Sequence, residues 1–345
     1  MKAIFIALAA LSSLAITAPA SAKGDNPLFA SSEPIQLTIK APLTYLTHNR
    51  NAPGPISGVM TDSAGQSVPI NLSLRGITRR TAEICDFPPL RVDFTAPPPA
   101  TSVFAGQKKL KLVTHCRNSP SFQQYVLLEY AAYRLYNQLT PHSFRVRLAT
   151  ITYQGEDGRP IAQRPGFFIE DLGDVARRNA THETHAPPRI ALAELSAADG
   201  ARYAMFQHMI ANHDWSMLAG PQGEECCHNA KLIGPRGSGT VIPIPYDFDY
   251  SGFVGAPYAM PPEQLGIQNV RQRFYRGYCS QNAYALTAAQ QMRATRPQLL
   301  ATLSQVPGLD PKAQRKAADY LEGFFADIAT DASTAGKILN HCLSG

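Results

Sequence analysis

Apolar positions recur along the chain at two intervals, and the change from one to the other divides the molecule. Through residues 26–94 they alternate with polar ones in short runs such as IQLTI (35–39) and PINLSLRG (69–76), set apart by Pro, Gly and Asn turns, which predicts a strand-rich beginning. The Pro-rich connection APPPATSV leads to another alternating run, KLKLVTH (109–115). In 125–139 the apolar residues return at helical spacing; SFRVRLATITYQ (143–154) and PGFFIEDL (165–172) then read as strands joined by QGEDGRP. From Leu192 onward helical spacing dominates, in ARYAMFQHMIA (201–211) and in the tail AQRKAADYLEGFFADIATDA (313–332). NAKLIG (229–234) and TVIPIPYDF (240–248), on either side of the Gly-rich PRGSG, predict one hairpin within that helical half. Strands first and helices later is an α+β order, and it predicts two lobes, 23–170 being β-rich with one long helix and 171–345 mainly helical with the hairpin. No repeat with a period of roughly 20 to 50 residues is present.

This pattern places three polar residues where they can meet. The 201–211 helix delivers His213 and Asp214 to a following loop, while the hairpin carries Asn229 at one end and Asp247 at the other. A nucleoside triphosphate brings clustered anionic oxygens and usually Mg²⁺, a hard ion satisfied by a few carboxylate and amide oxygens with water. Phosphotransfer sites supply an Asp for the attacking hydroxyl, an Asn downstream on one metal and an Asp beyond a strand on the other, and Asp214, Asn229 and Asp247 come in that order. Each has an ordinary alternative: Asp214 as the cap of a helix starting at Trp215, Asn229 as a turn residue, Asp249 as a solvated neighbour instead of a second ligand. Asp247 is the strongest candidate, because the carboxylate pair in PYDFD at a strand end is costly unless solvated or bound to a cation. The Asp214-to-Asn229 interval exceeds that of an ordinary protein-kinase catalytic loop; its AGPQGEECC reads as a surface excursion. In LRGITRR, Arg75, Gly76, Arg79 and Arg80 form either a cover over phosphates, with Gly76 allowing a tight bend, or a plain basic hairpin. PRGSG lacks the Gly-Lys-Ser/Thr ending of a phosphate loop and reads as a turn.

HDWS, HNAKL and PYDFDYSG resemble the catalytic segments of the CotH-like (spore-coat protein H) atypical kinase family, with a spacing logic also similar to HipA-type kinases. Upstream, LSLRGITRR, CDFPPLRVDF, KLKLVTHC, LLEYAAYRLYNQL and SFRVRL resemble the amino-terminal half of an exported bacterial branch of that family, so the resemblance covers roughly residues 34–279. It implies a two-lobed protein-kinase-like fold, with FFIED joining the lobes, ATP as phosphoryl donor, and Mg²⁺ or Mn²⁺ held by Asn229, Asp247 and Asp249. It further implies that Lys111 touches the nucleotide phosphates and that Glu129, on the following helix, pairs with and orients that lysine. Alternatively, Lys111 is an outward strand residue beside Lys108 and Lys109, and Glu129 a solvated helix residue, although Leu127, Leu128 and Tyr130 around it are apolar.

The start of the chain, MKAIFIALAALSSLAITAPASA, has a lysine, an apolar stretch and Ala20-Ser21-Ala22 before Lys23, and reads as a signal peptide over residues 1–22. No later run approaches the roughly 18 apolar residues of a membrane span, so the expectation is a soluble exported protein, periplasmic in a Gram-negative host. The formal charge of +6 is spread along the 345 residues and favours anionic ligands without an aromatic-interleaved nucleic-acid motif. Six cysteines fit an oxidising compartment; Cys85 with Cys116 would brace the first lobe, and Cys226 or Cys227 with Cys279 the loop after Asp214. A zinc site from Cys226, Cys227, His228 and His213 is the rival, weakened by the adjacency of the two cysteines. Because exported compartments carry no sustained nucleotide supply, three functions stay open: a kinase acting on a protein or glycan hydroxyl, a pseudokinase or envelope scaffold, and a metal-dependent hydrolase.

Overall fold

Seven strands close on themselves in the first half of the chain. In the computed structural model, which describes residues 26–51, 54–236 and 239–344, β1 (Ile35–Lys40), β2 (Ile56–Asp62), β3 (Ser67–Leu74), β4 (Leu90–Phe94) and β5 (Lys109–Val113) run antiparallel in sequence order. The signal peptide read in residues 1–22 lies outside the described residues. β5 pairs with β7 (Pro160–Ile169), β7 with β6 (Val146–Gln154), and a parallel pairing of β6 with β1, Ile35 opposite Ala149 to Lys40 opposite Gln154, closes the barrel. A short α1 (Leu43–His48) links β1 to β2. The alternation that predicts strands also fills the barrel: Leu37 and Ile39, Val68, Ile70 and Leu72, and Leu110 and Leu112 all point into one core.

The other face of β5, β6 and β7 serves a second core. Val113, Val146, Leu148, Phe167 and Ile169 face outward from the barrel and meet α2 (Pro120–Asn137), so Phe167 and Phe168, adjacent in sequence, belong to different cores. Helix α2 begins at Pro120, ahead of the periodic run, because proline fits the first turn, where its missing N–H costs nothing. Beyond α3 (Leu172–Arg178) and the two-residue β8 (His182–Glu183), α4 (Ala197–Met209) packs on the hairpin of β9 (Ala230–Gly234) and β10 (Ile242–Pro245). α5 (Asn282–Ala294), α6 (Arg296–Ser304), α7 (Pro311–Asp327) and α8 (Asp331–Lys337) complete the helical part. The tail read as one periodic helix is therefore two, parted at Ile328 and restarted by Thr330, whose hydroxyl accepts from the Ser333 N–H. The architecture is mixed α/β, and no helix among the described residues is long and apolar enough to cross a membrane.

Three disulfides are present among the described residues. Cys85–Cys116 is formed as the sequence suggests and ties the approach to β4 to the exit of β5. The other expected bridge is not: Cys226 and Cys227 join each other, and Cys279 pairs with Cys342, fastening the start of α5 to the chain's end. With Cys226 and Cys227 bonded to one another, the thiolates that a zinc site would need are not there.

Candidate functional site

The loop after α4 owes its shape to buried polar contacts. Ala211 turns the chain with a φ of 46°, and Asn212, almost fully buried, accepts from the Asp214 N–H on its side chain and from the Trp215 indole on its carbonyl. Arg276 donates to the carbonyls of His213 and Trp215 and lies 4.6 Å over the Trp215 ring. His213, buried, is spent on the Gln272 carbonyl at 2.9 Å. No helix starts at Trp215, so Asp214 caps nothing and its carboxylate is available.

The hairpin presents Asn229 and Asp247 from its two open ends, where Ala230 pairs with Pro245. Both sit in the left-handed region, at φ 49° and 64°, a conformation that Asn and Asp tolerate better than other side chains. The Asn229 amide donates to the Asp214 carbonyl at 2.7 Å and to its Oδ2 at 3.0 Å, while His228 Nε2 lies 2.6 Å from Oδ1. Asp214 is thereby held on both oxygens, and the bond to Asp214 raises the affinity of His228 for its proton against the opposing effect of burial. The Asp247 N–H donates to the Tyr133 hydroxyl at 2.8 Å, which fixes the hairpin exit to α2.

Two residues on, Asp249 is 5 % exposed and accepts from the Tyr258 hydroxyl at 3.1 Å. From α2, Glu129 is 1 % exposed and reaches the same place, so that Glu129, Asp247 and Asp249 each offer an oxygen within 4.8 Å of the others. Burial first, then the Asp249 charge, holds the Glu129 carboxyl well above the usual range, with Arg79 opposing; burial and Asp247 likewise push Asp249 up. Glu129 Oε1 is buried with no hydrogen-bond partner. Three converging carboxylates, one with an orphaned acceptor, fit a hard divalent cation bound through oxygen.

Arg79 makes the ion pair expected of Lys111. Its Nη1 lies 3.5 Å from Glu129 and 3.9 Å from Asp249, and its Nη2 donates to the Thr114 carbonyl at 2.7 Å. Lys111 does not pair with Glu129: its ammonium rests 4.5 Å over the Tyr246 ring, and burial, with Arg75 and Lys231 nearby, lowers it to about 7. The reason is position along β5: on the face opposite Leu110 and Leu112, Val113 joins the core with α2, while Lys109 and Lys111 look onto a cavity of ≈ 260 Å³ bounded by Ile169, Asp171, Lys231 and Cys226.

Asp214, Asn229, Asp247 and Asp249 line a separate cavity of ≈ 410 Å³. Arg75, Gly76 and Arg79 line it too, on a loop where Gly76 takes a φ of 76°. Arg80 does not line it. Of the site residues named from the sequence, Glu129 meets Asp247 and Asp249 at the carboxylate cluster without lining this cavity, Arg80 stays outside it, and Lys111 lines the neighbouring one. His228, Tyr133 and Tyr258 were not singled out for this site; the His228-Asn229 adjacency is the one sequence signal that could have drawn attention to the first.

No protein family model matches the chain, and no curated protein matches it. Among solved structures, the Golgi casein kinase aligns with 90% of this chain and 76% of its own, at 10% identity and a TM-score of 0.35. The same kinase with Mn/ADP bound aligns over the same shares at 11% identity and a TM-score of 0.35. Likeness at that level carries no argument about what this chain does.

Proposed function

We propose that the chain is an exported atypical kinase of the CotH-like kind, moving the γ-phosphoryl group of ATP to a hydroxyl on a protein or glycan with Mg²⁺ or Mn²⁺. On this reading residues 1–22 are a signal peptide, 23–170 the β-rich lobe and 171–345 the mainly helical lobe of a kinase-like fold, working in the periplasm. Three disulfides support an oxidising compartment. The observation that carries the proposal is the cluster of the Glu129, Asp247 and Asp249 carboxylates at a cavity that Asp247 and Asp249 line together with an Asp214 held by Asn229 and His228.

Asp214 orients the acceptor hydroxyl and takes its proton as the new oxygen–phosphorus bond forms and the bond to the nucleoside diphosphate oxygen breaks. Arg75 and Arg79 supply fixed positive charge to the phosphates, and Gly76 lets their loop bend close. Glu129, Asp247 and Asp249, with Asn229 beside them, would hold a divalent cation that neutralises phosphate charge. Positioning and charge account for most of such catalysis, since phosphoryl transfer asks little covalent chemistry of the protein.

One observation favours a second reading, a pseudokinase or envelope binding protein. Lys111 lies on Tyr246, away from Glu129, and Glu129 is already neighboured by Arg79. Incubating the oxidised protein with γ-labelled ATP and Mg²⁺ or Mn²⁺ separates the readings. The kinase reading expects metal-dependent label on protein or added acceptor, reduced about 100-fold or more by Asp247→Ala with folding preserved. Ligand-induced thermal stabilisation without label transfer selects the binding protein, and labelled phosphate released to water selects a hydrolase.

A further inference from the structure

We infer that Arg79 is a built-in cation of the acidic cluster, so that the nucleotide-free protein takes a single divalent ion at Glu129, Asp247 and Asp249. This rests on the metal reading above and goes beyond it by fixing how many ions the protein itself accommodates and which residue sets that number.

Three features carry the inference. The first is position: Arg79 is 6 % exposed, its Nη1 faces Glu129 at 3.5 Å and Asp249 at 3.9 Å, and its guanidinium cannot shed its charge. The Glu129 contact is a long hydrogen bond to Oε2, beyond the roughly 2.7–2.9 Å of a strong charge-assisted one, and the Asp249 contact is longer still, so the arginine offsets the carboxylates without reaching Glu129 Oε1. Glu129 Oε1 is left unpartnered and open to an ion.

The second is anchorage. Nη2 is fixed to the Thr114 carbonyl at 2.7 Å, and Thr114 lies two residues from Cys116. Cys116 is bonded to Cys85, whose N–H donates to the Thr81 carbonyl at the end of the turn that carries Arg79. The guanidinium is thus clamped in the cluster whether or not a ligand is bound. The third is charge. Three carboxylates balance one guanidinium and one divalent cation, whereas a second divalent ion would leave the buried cluster with uncompensated positive charge until an anionic ligand arrives.

The test is a titration of nucleotide-free protein with Mn²⁺, counting bound ion from the loss of the free-ion paramagnetic resonance signal. The inference expects one Mn²⁺ per wild-type chain. It expects Arg79→Gln, checked for folding by circular dichroism, to bind Mn²⁺ at least about tenfold more tightly or to take a second ion, because the resident repulsion is gone. Arg79→Lys, which keeps the charge, should return the count to one. Two ions on the wild type, or unchanged or weaker binding by folded Arg79→Gln, overturns the role of Arg79 alone. If Arg79→Gln does not fold, the wild-type count decides by itself. No Mn²⁺ bound by the wild type removes the metal reading and this inference together.

Discussion

Asp249 keeps a carboxylate where its charge is unfavourable, desolvated and beside Asp247, with Arg79 offering partial relief at 3.9 Å. A stability optimum would not place one there, and sites of function commonly sacrifice stability in this way. Asp249→Asn should therefore stabilise the metal-free protein, by about 1 kcal/mol, since the amide keeps the shape and can still accept from Tyr258. Urea denaturation in the presence of EDTA measures the gain. The same variant should lose most of the thermal stabilisation that Mn²⁺ gives the wild type, and a destabilised Asp249→Asn with an intact Mn²⁺ shift would contradict the assignment. At this scale the sequence was readable where chemistry is local. Asn229 and Asp247 bracket a hairpin, and their residue types suit the left-handed conformations they adopt. The partner of Glu129 was not readable: Lys111 shares the strand face of Val113, which meets α2, but alternation gives a face and not how far along it the helix reaches. Arg79 comes from a turn with no periodicity, delivered by folding at a distance, and its contact with Glu129 spans 50 residues.

Elements show the same division between local signals and distant pairings. The β6–β7 hairpin and the β9–β10 hairpin follow from apolar runs around Gly-rich turns, and α4 from its spacing. Closure of the barrel follows from the parallel pairing of β1 with β6, strands with four others and α2 between them in sequence, for which no local pattern exists. Start signals were underused: α2 opens on Pro120 and α7 on Asp310-Pro311, outside the periodic runs that marked them. Helix α7 depends on that cap, since Asp310 Oδ1 accepts from the Lys312 and Ala313 N–H groups at 2.9 and 2.7 Å. Its apolar side, with Ala317, Leu321, Phe324 and Phe325 buried, forms part of the helical core. Asp310→Ala should cost about 1 kcal/mol, read as a lower urea midpoint with an unchanged slope. An Asp310→Ser variant should recover most of it, and a cost unaffected by that replacement would show that the cap is not the cause.

The two cores of the molecule each enclose a histidine, and each adds an acid-sensitive contribution to the stability of the fold. His115 stacks on Phe87 at 4.7 Å beside Tyr153 in the barrel, and burial, then Arg164 and Arg79, lowers it to about 4. His208 lies among Tyr275 and Phe324 in the helical core, where burial and then Arg273 lower it to about 3, with the Phe274 backbone bond opposing. Both are neutral in the fold, whereas in the unfolded chain each takes a proton near the ordinary value of about 6.5. At these two groups the unfolded state therefore binds more protons below that value, and their contribution to stability falls as pH falls, from about 6.5 down to the folded values. Each histidine contributes a slope of roughly 1.4 kcal/mol per pH unit in that window and none above it. His115→Phe, which keeps the stacking on Phe87 and removes a ring nitrogen lacking a partner, should remove one such slope. Urea midpoints for wild type and variant should converge near neutral pH and separate on acidification, with the variant the more stable by about 2 kcal/mol near pH 5, because every other titrating group cancels in the comparison. Parallel curves from pH 7 to pH 5 would mean that His115 takes up its proton as readily in the folded barrel as in the unfolded chain, and that the acid response of the molecule originates elsewhere.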